Sequence, residues 1–185
     1  TFHDSQVSHE RNGYFLRKKF GKIESHLCDL QDLFTGEQHQ KMRGIIEDAR
    51  DYFESTEIEW VISHGDFGLS NIQKKGDVLE IIDFEDCQAA PRAFDILNCL
   101  VRLEYADYFP NIHGAYKKIR DQFSEGYNLP SDYKNPVYDF FYLLIKLDIL
   151  ESYLRRKSQN KGNGLRRVIY RLLEKKNKRS IKNWL

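Results

Sequence analysis

The segment from Val137 to Leu154 constrains the chain most, because it is apolar on nearly every side of a helix. Asn135-Pro136 opens it in the cap-then-proline order that favours a helix start. A helix without a polar face has to be surrounded, so this one is placed at the centre of a helical domain. Other segments supply the surround. From Glu37 to Glu54, residues Met42, Ile45, Ile46, Ala49, Tyr52 and Phe53 share one helix face. The period returns after Pro91 with Phe94, Ile96, Leu97, Leu100 and Val101, and again from Ile112 to Phe123. A last helix from Leu165 to Lys178 puts Val168, Ile169, Leu172 and Leu173 in one stripe. Residues 1 to 35 carry no clean period and are read as helix and loop. Two strand-like runs, Trp60 to Ser63 and Val78 to Ile82, complete the pattern, the second preceded by the turn signal Lys74-Lys75-Gly76-Asp77. The expected fold class is therefore mainly α with a small β element (α+β), without repeats or a visible interdomain linker.

Twelve Phe and eleven Tyr argue against disorder. The longest apolar run, Phe140 to Ile145, is far short of the roughly 20 residues that span a bilayer, so no membrane partner is expected. Cys28, Cys87 and Cys99 are odd in number and form no CxxC pair, which points to a reducing, cytoplasmic setting, with Cys87 and Cys99 read as small buried residues. The formal charge of +1 conceals a division. Residues 155 to 185 hold twelve Lys or Arg against Glu174 alone, a tail of +11 on a body of −10.

The chemistry-bearing stretch lies between and just after the strands. Ser63-His64-Gly65-Asp66-Phe67-Gly68-Leu69-Ser70-Asn71 leaves the first run, and Ile81-Ile82-Asp83-Phe84-Glu85-Asp86 ends the second. If Asp66, Asn71 and Asp83 converge, they offer the oxygen ligands that a hard cation takes together with phosphate and water. Mg²⁺ with a nucleotide suits that set.

The Asp, four residues, Asn spacing, followed later by Asp-Phe, matches the catalytic and metal-binding segments of kinases. More specifically, His64-Gly65-Asp66 with Asn71 and then Ile82-Asp83-Phe84-Glu85 resembles the aminoglycoside phosphotransferase and choline kinase group of small-molecule kinases. The match is specific over about residues 63 to 97. The resemblance implies the C-terminal helical lobe of a protein-kinase-like fold, using ATP and Mg²⁺ to phosphorylate a hydroxyl of a small molecule, aminoglycoside-, amino alcohol- or sugar-like. It makes Asp66 the group that orients the acceptor hydroxyl and takes its proton, and Asn71 and Asp83 the metal ligands. It makes Asp95, in Pro91-Arg92-Ala93-Phe94-Asp95, a support for the catalytic-loop backbone, with His64 also in a supporting role.

Two departures from protein kinases narrow the acceptor. Gly65 stands where an arginine would read a phosphorylated activation loop, and only eleven residues separate Asp83 from Asp95, too few to cradle a peptide. No glycine-rich loop precedes His64, and Lys18, Lys19 and Lys22 lie in no strand-like run. The opening Thr1-Phe2-His3-Asp4 resembles the start of the helical lobe in these enzymes. Residues 1 to 185 are accordingly expected to be a single lobe whose N-terminal lobe is a missing partner, with the catalytic segment at 60 to 97, and to turn over little alone.

Glu85 and Asp86 are candidates for metal or substrate contact or for helix capping. Asp148 and Glu151, three apart on the central helix, either receive a cationic substrate or form ordinary salt bridges, Glu151 with Arg155. A metal hydrolase using His64, Asp66 and Asp83 ranks below the kinase for want of a second histidine at ligand spacing. The competing class is an inert binding module whose basic tail meets nucleic acid or an anionic surface. The stripe in the last helix favours a packed helix with a solvated face instead, so nucleic acid is not the expected partner.

Overall fold

The structure is a computed structural model that describes residues 2–106, 115–127, 135–159 and 164–185. In chain order the elements are α1 (Phe2–Asp29), α2 (Gly36–Ser55), β1 (Trp60–Ser63), β2 (Ile72–Lys75), β3 (Val78–Ile81), β4 (Gln88–Pro91), α3 (Ala93–Ala106), α4 (Ala115–Gly126), α5 (Pro136–Gln159) and α6 (Gly164–Trp184). The fold is mainly α with a small β element.

Helix α5 is the axis. Phe140, Phe141, Leu143, Leu144, Ile145, Leu147 and Leu150 are all buried, and α1, α2, α3 and α6 pack around them. A reciprocal cap starts α2: Thr35 Oγ1 accepts from the Gln38 amide and Gln38 Oε1 accepts from the Thr35 amide. Asn135 Oδ1 accepts from the Val137 amide at 2.9 Å and starts α5. Aromatic rings from several helices meet at the centre, with Phe20 4.5 Å from Phe140 and Phe94 5.2 Å from Phe141, centroid to centroid. Each such pair adds about 0.5–1.5 kcal/mol beyond its buried area.

The β element is two antiparallel ribbons rather than one sheet: β1 with β4, and β2 with β3. β1 and β3 are the strand-like runs of the sequence. β2 and β4, Ile-Gln-Lys-Lys and Gln-Ala-Ala-Pro, carry no strand signature and are strands because their partners hold them.

Helix α1 takes up most of the stretch read as helix and loop, with a short turn at Gln31–Leu33 and loop leading to α2; Phe15, Phe20, Ile23, Leu27 and, just past its end, Leu30 turn inward beneath an interleaving of charges. Lys18, Lys19 and Lys22 all lie on it. Part of the helix expected from Ile112 falls outside the described residues. Helix α6 runs on to Trp184, and its inward stripe is Leu173, Asn177 and Ile181. The expected stripe needs correcting: Leu172 is 55% exposed because the buried face repeats every four residues from Leu173, while the side chains of Val168 and Ile169 are outside those described. Cys99 is buried but Cys87 is exposed, beyond the end of β3, and all three cysteines are free thiols.

Among the described residues one charged side chain, that of Lys146, is fully buried. Lys146 Nζ donates to Ser180 Oγ at 2.9 Å and is paired with Glu104 at 2.8 Å, while Ser180 Oγ donates to Glu104 at 3.0 Å. Burial lowers the Lys146 pKa, and Glu104 opposes that shift. The cluster joins α5, α6 and α3. Among the described residues no helix is long and apolar enough to cross a membrane.

Candidate active site

The loop after β1 is held by a carboxylate from the first turn of α3. Asp95 Oδ2 accepts from the His64 amide at 2.6 Å and Oδ1 from the Gly65 amide at 3.0 Å. Hydrogen bonds to an ionised acceptor are among the stronger kind, and here they fix two consecutive peptides. Gly65 has φ of 84°, in the left-handed region. A Cβ there would also lie 2.2 Å from the Asp86 carbonyl oxygen, so glycine is required on two counts.

The buried His64 ring joins this loop to the end of the second ribbon. Its Nε2 donates to the Ile82 carbonyl at 2.8 Å, which leaves Nδ1 to accept from the Asp66 amide at 3.4 Å. Phe84 lies against the ring, with centroids 4.7 Å apart. His64 is thus a positioning group whose two nitrogens are engaged by the backbone.

Asp66 and Asn71 are brought together directly. Asn71, buried in a short turn before β2, donates through Nδ2 to the Asp66 carbonyl at 2.9 Å and to Asp66 Oδ2 at 3.3 Å. These donations orient the amide and turn Oδ1 to the other side. The β2–β3 register then brings in Asp83: Ile72 faces Ile81, and the Ile82 amide donates to the Asn71 carbonyl at 3.0 Å. Ile82 is held by Asn71 on its N–H and by His64 on its C=O, so Asp83 follows a doubly anchored residue. Its own φ of 67° turns the chain out of the ladder, a conformation Asp tolerates better than most residues.

Asn71 and Asp83 are oxygen donors on adjacent ribbon ends and fit a hard divalent cation. Among the described residues no group of three or more His, Cys, Asp or Glu converges as a metal cage.

The fold is kinase-like. Two solved structures resemble the chain: a thermostable mutant of an aminoglycoside phosphotransferase in its apo form, and a glucosamine kinase in complex with glucosamine, ADP and inorganic phosphate. The first has a TM-score of 0.51 at 13% identity over 88% of this chain and 51% of that one. The second has a TM-score of 0.52 at 8% identity over 94% of this chain and 44% of that one. The chain spans about half the length of the solved structures it matches. No family model matches it, and no curated protein matches it in sequence.

Within this kinase-like fold the two carboxylates of α5 meet α1. Lys22 Nζ and His26 Nε2 both contact Asp148, at 2.7 and 2.5 Å, and His26 Nδ1 is 3.4 Å from Glu151. Burial pushes the Asp148 pKa up, but the hydrogen bonds from His26 and Lys22 outweigh it and hold the carboxyl below its usual range. Glu85 and Asp86 are exposed after β3, and the Asp86 charge acts on Lys19 as that of Asp148 does. Two groups escaped the sequence. Lys19 lies 4.3 Å over the Phe94 ring, and burial, with help from Lys22, pulls its pKa down to about 8. Arg102 on α3 forms an ion pair with the Asp66 carboxylate. The available signal for Arg102 was its spacing of seven from Asp95, which puts both on one face of α3.

Proposed function

We propose that the chain is the helical lobe of a cytoplasmic, ATP- and Mg²⁺-dependent phosphotransferase that passes the γ-phosphate to a hydroxyl of a small molecule, aminoglycoside-, amino alcohol- or sugar-like. The observation that carries this reading is the pairing of Asp66 with Asn71 in a loop clamped by Asp95, beside Asp83 across the β2–β3 ribbon. The structural neighbours, an aminoglycoside phosphotransferase and a glucosamine kinase, support a small acceptor. The free thiols agree with a reducing compartment.

Asp66 accepts the hydrogen bond of the acceptor hydroxyl, aligns its oxygen with the phosphorus and takes the proton as the new oxygen–phosphorus bond forms and the bond to the departing ADP breaks. Asn71 keeps the Asp66 carboxylate in place and, with Asp83, holds Mg²⁺. When bound, that ion neutralises charge on the phosphates. His64 and Asp95 keep the loop at its position, and that rigidity is the lobe's main contribution to in-line transfer. Because Asp148 and Glu151 are already engaged by Lys22 and His26 of α1, we place the acceptor on the side of Glu85 and Asp86.

The nucleotide-covering lobe is proposed to lie outside these residues and to rest on the β ribbons. On and beside those ribbons Ile62, Val78, Leu79 and Phe84 are 79, 62, 68 and 54% exposed, apolar side chains open to such a contact.

The test is transfer of the γ-phosphate of ATP, with Mg²⁺, to a panel of amino alcohols, aminoglycosides and sugars by the full-length protein. Asp66→Asn should lower kcat about 10²- to 10⁴-fold with the melting temperature retained. Unchanged turnover in that variant would refute the mechanism.

A further inference from the structure

Asp95 and Arg102 lie two turns apart on α3, and both reach the loop after β1. Asp95 takes the His64 and Gly65 amides, and Arg102 takes the side chain of Asp66. The loop is shaped to receive that arginine. Gly68 is extended and buried, and a Cβ on it would stand 3.3 Å from Arg102 Cδ, so the bare backbone leaves the side chain its course. Folding gives no reason for the contact: Arg102 and Asp66 are 41 and 38% exposed, and exposed ion pairs add little to stability. Nor does Asp66 need a second hydrogen-bonding partner, since Asn71 already meets its Oδ2.

A guanidinium is a planar fork of five donors that matches the oxygens of a carboxylate and of a phosphate equally well. Arg102 is therefore a phosphate-binding group placed within reach of the carboxylate that handles the acceptor. We infer that Arg102 is a catalytic residue that binds the terminal phosphate of the nucleotide, resting on Asp66 in the free protein and transferring its donors to the phosphate's non-bridging oxygens when ATP arrives. This rests on the phosphotransferase reading and adds to it the cation that holds the transferred group against the hydroxyl. The exchange also frees Asp66 Oδ1 to accept from that hydroxyl. No bond is made or broken by Arg102; it offsets the charge on the phosphoryl group during transfer.

The experiment compares Arg102→Ala and Arg102→Lys with the parent full-length protein. It measures kcat, the KM of the acceptor, and the affinities for MgATP and MgADP by calorimetry. Arg102→Ala should lower kcat about 10²- to 10³-fold, with acceptor KM within about threefold of the parent. It should weaken ATP while leaving ADP, which lacks the terminal phosphate, unchanged. Arg102→Lys should recover part of the ATP preference, and added guanidinium should restore part of the Ala variant's turnover. Parent-like kcat and an unchanged ATP-to-ADP affinity ratio in Arg102→Ala would overturn the assignment. Equal losses for both nucleotides with a lower melting temperature would overturn it as well, making Arg102 a strut of the loop. A parent that transfers phosphate to no hydroxyl sinks the phosphotransferase reading separately, and the ATP-to-ADP ratio still decides Arg102.

Discussion

The α-carbon of Gly65 faces the carbonyl oxygen of Asp86 so closely that a Cβ would stand 2.2 Å from it. Gly65 follows β1 and Asp86 precedes β4, so the two face each other where the β1–β4 ribbon ends, and this contact sets how near the loop bearing Asp66 approaches the segment after Asp83. Gly65→Ala must both strain a left-handed residue and push the segments apart. It should lower stability by about 2–4 kcal/mol, read from the midpoint of chemical denaturation. A midpoint equal to the parent's would show that the approach relaxes freely.

Asp95 satisfies two amides with two carboxylate oxygens. Asn in its place offers one acceptor and turns an NH₂ toward the other N–H. Asp95→Asn is expected to cost about 2–3 kcal/mol and to speed hydrogen exchange at the His64 and Gly65 amides by tens of fold. Exchange rates that stay at parental values would remove Asp95 from its place as the anchor of the loop.

Lys19 supplies a pH signature. Burial and Lys22 take its pKa from 10.5 to about 8 in the folded protein. Between those values the unfolded chain holds the proton more tightly, so the Lys19 contribution to stability rises with pH across that window, and below about 8 its full penalty is present. Lys19→Met keeps the packing on Phe15 and Phe94 and abolishes the titration. The stability difference, variant minus parent, should be largest near pH 7, shrink above pH 8 and level off by about pH 10.5. Thermal melts of both proteins over pH 7 to 10.5 measure it, and a constant difference would place the amine in water.

What could be read along the chain was local. The apolar surface of α5 is visible in Phe140 to Ile145 because burial on all sides leaves no polar residues to break the run. β1 and β3 show as Trp-Val-Ile-Ser and Val-Leu-Glu-Ile. β2 and β4 did not show, since pairing defines them and their residues are those of turns. The contact of Asp66 with Asn71 in the candidate site was legible because the two are five residues apart and meet through one turn. Arg102 was not, because its contact depends on how α3 is set against the loop. The same holds for Asp148, whose partner His26 lies 122 residues away on α1. The Glu151–Arg155 spacing pointed along the helix, whereas His26 approaches Glu151 from the neighbouring α1.

The Lys146 amine reaches Ser180 on one side and Glu104 on the other, and Glu104 follows Arg102 by two residues on α3. Removing Glu104 takes the counter-charge from the buried Lys146 amine, whereas replacing the group together does not. In related chains, positions 104, 146 and 180 should therefore change as a set. The placement of α6, far along the chain from the loop after β1, is inherited together with that of the helix that grips that loop.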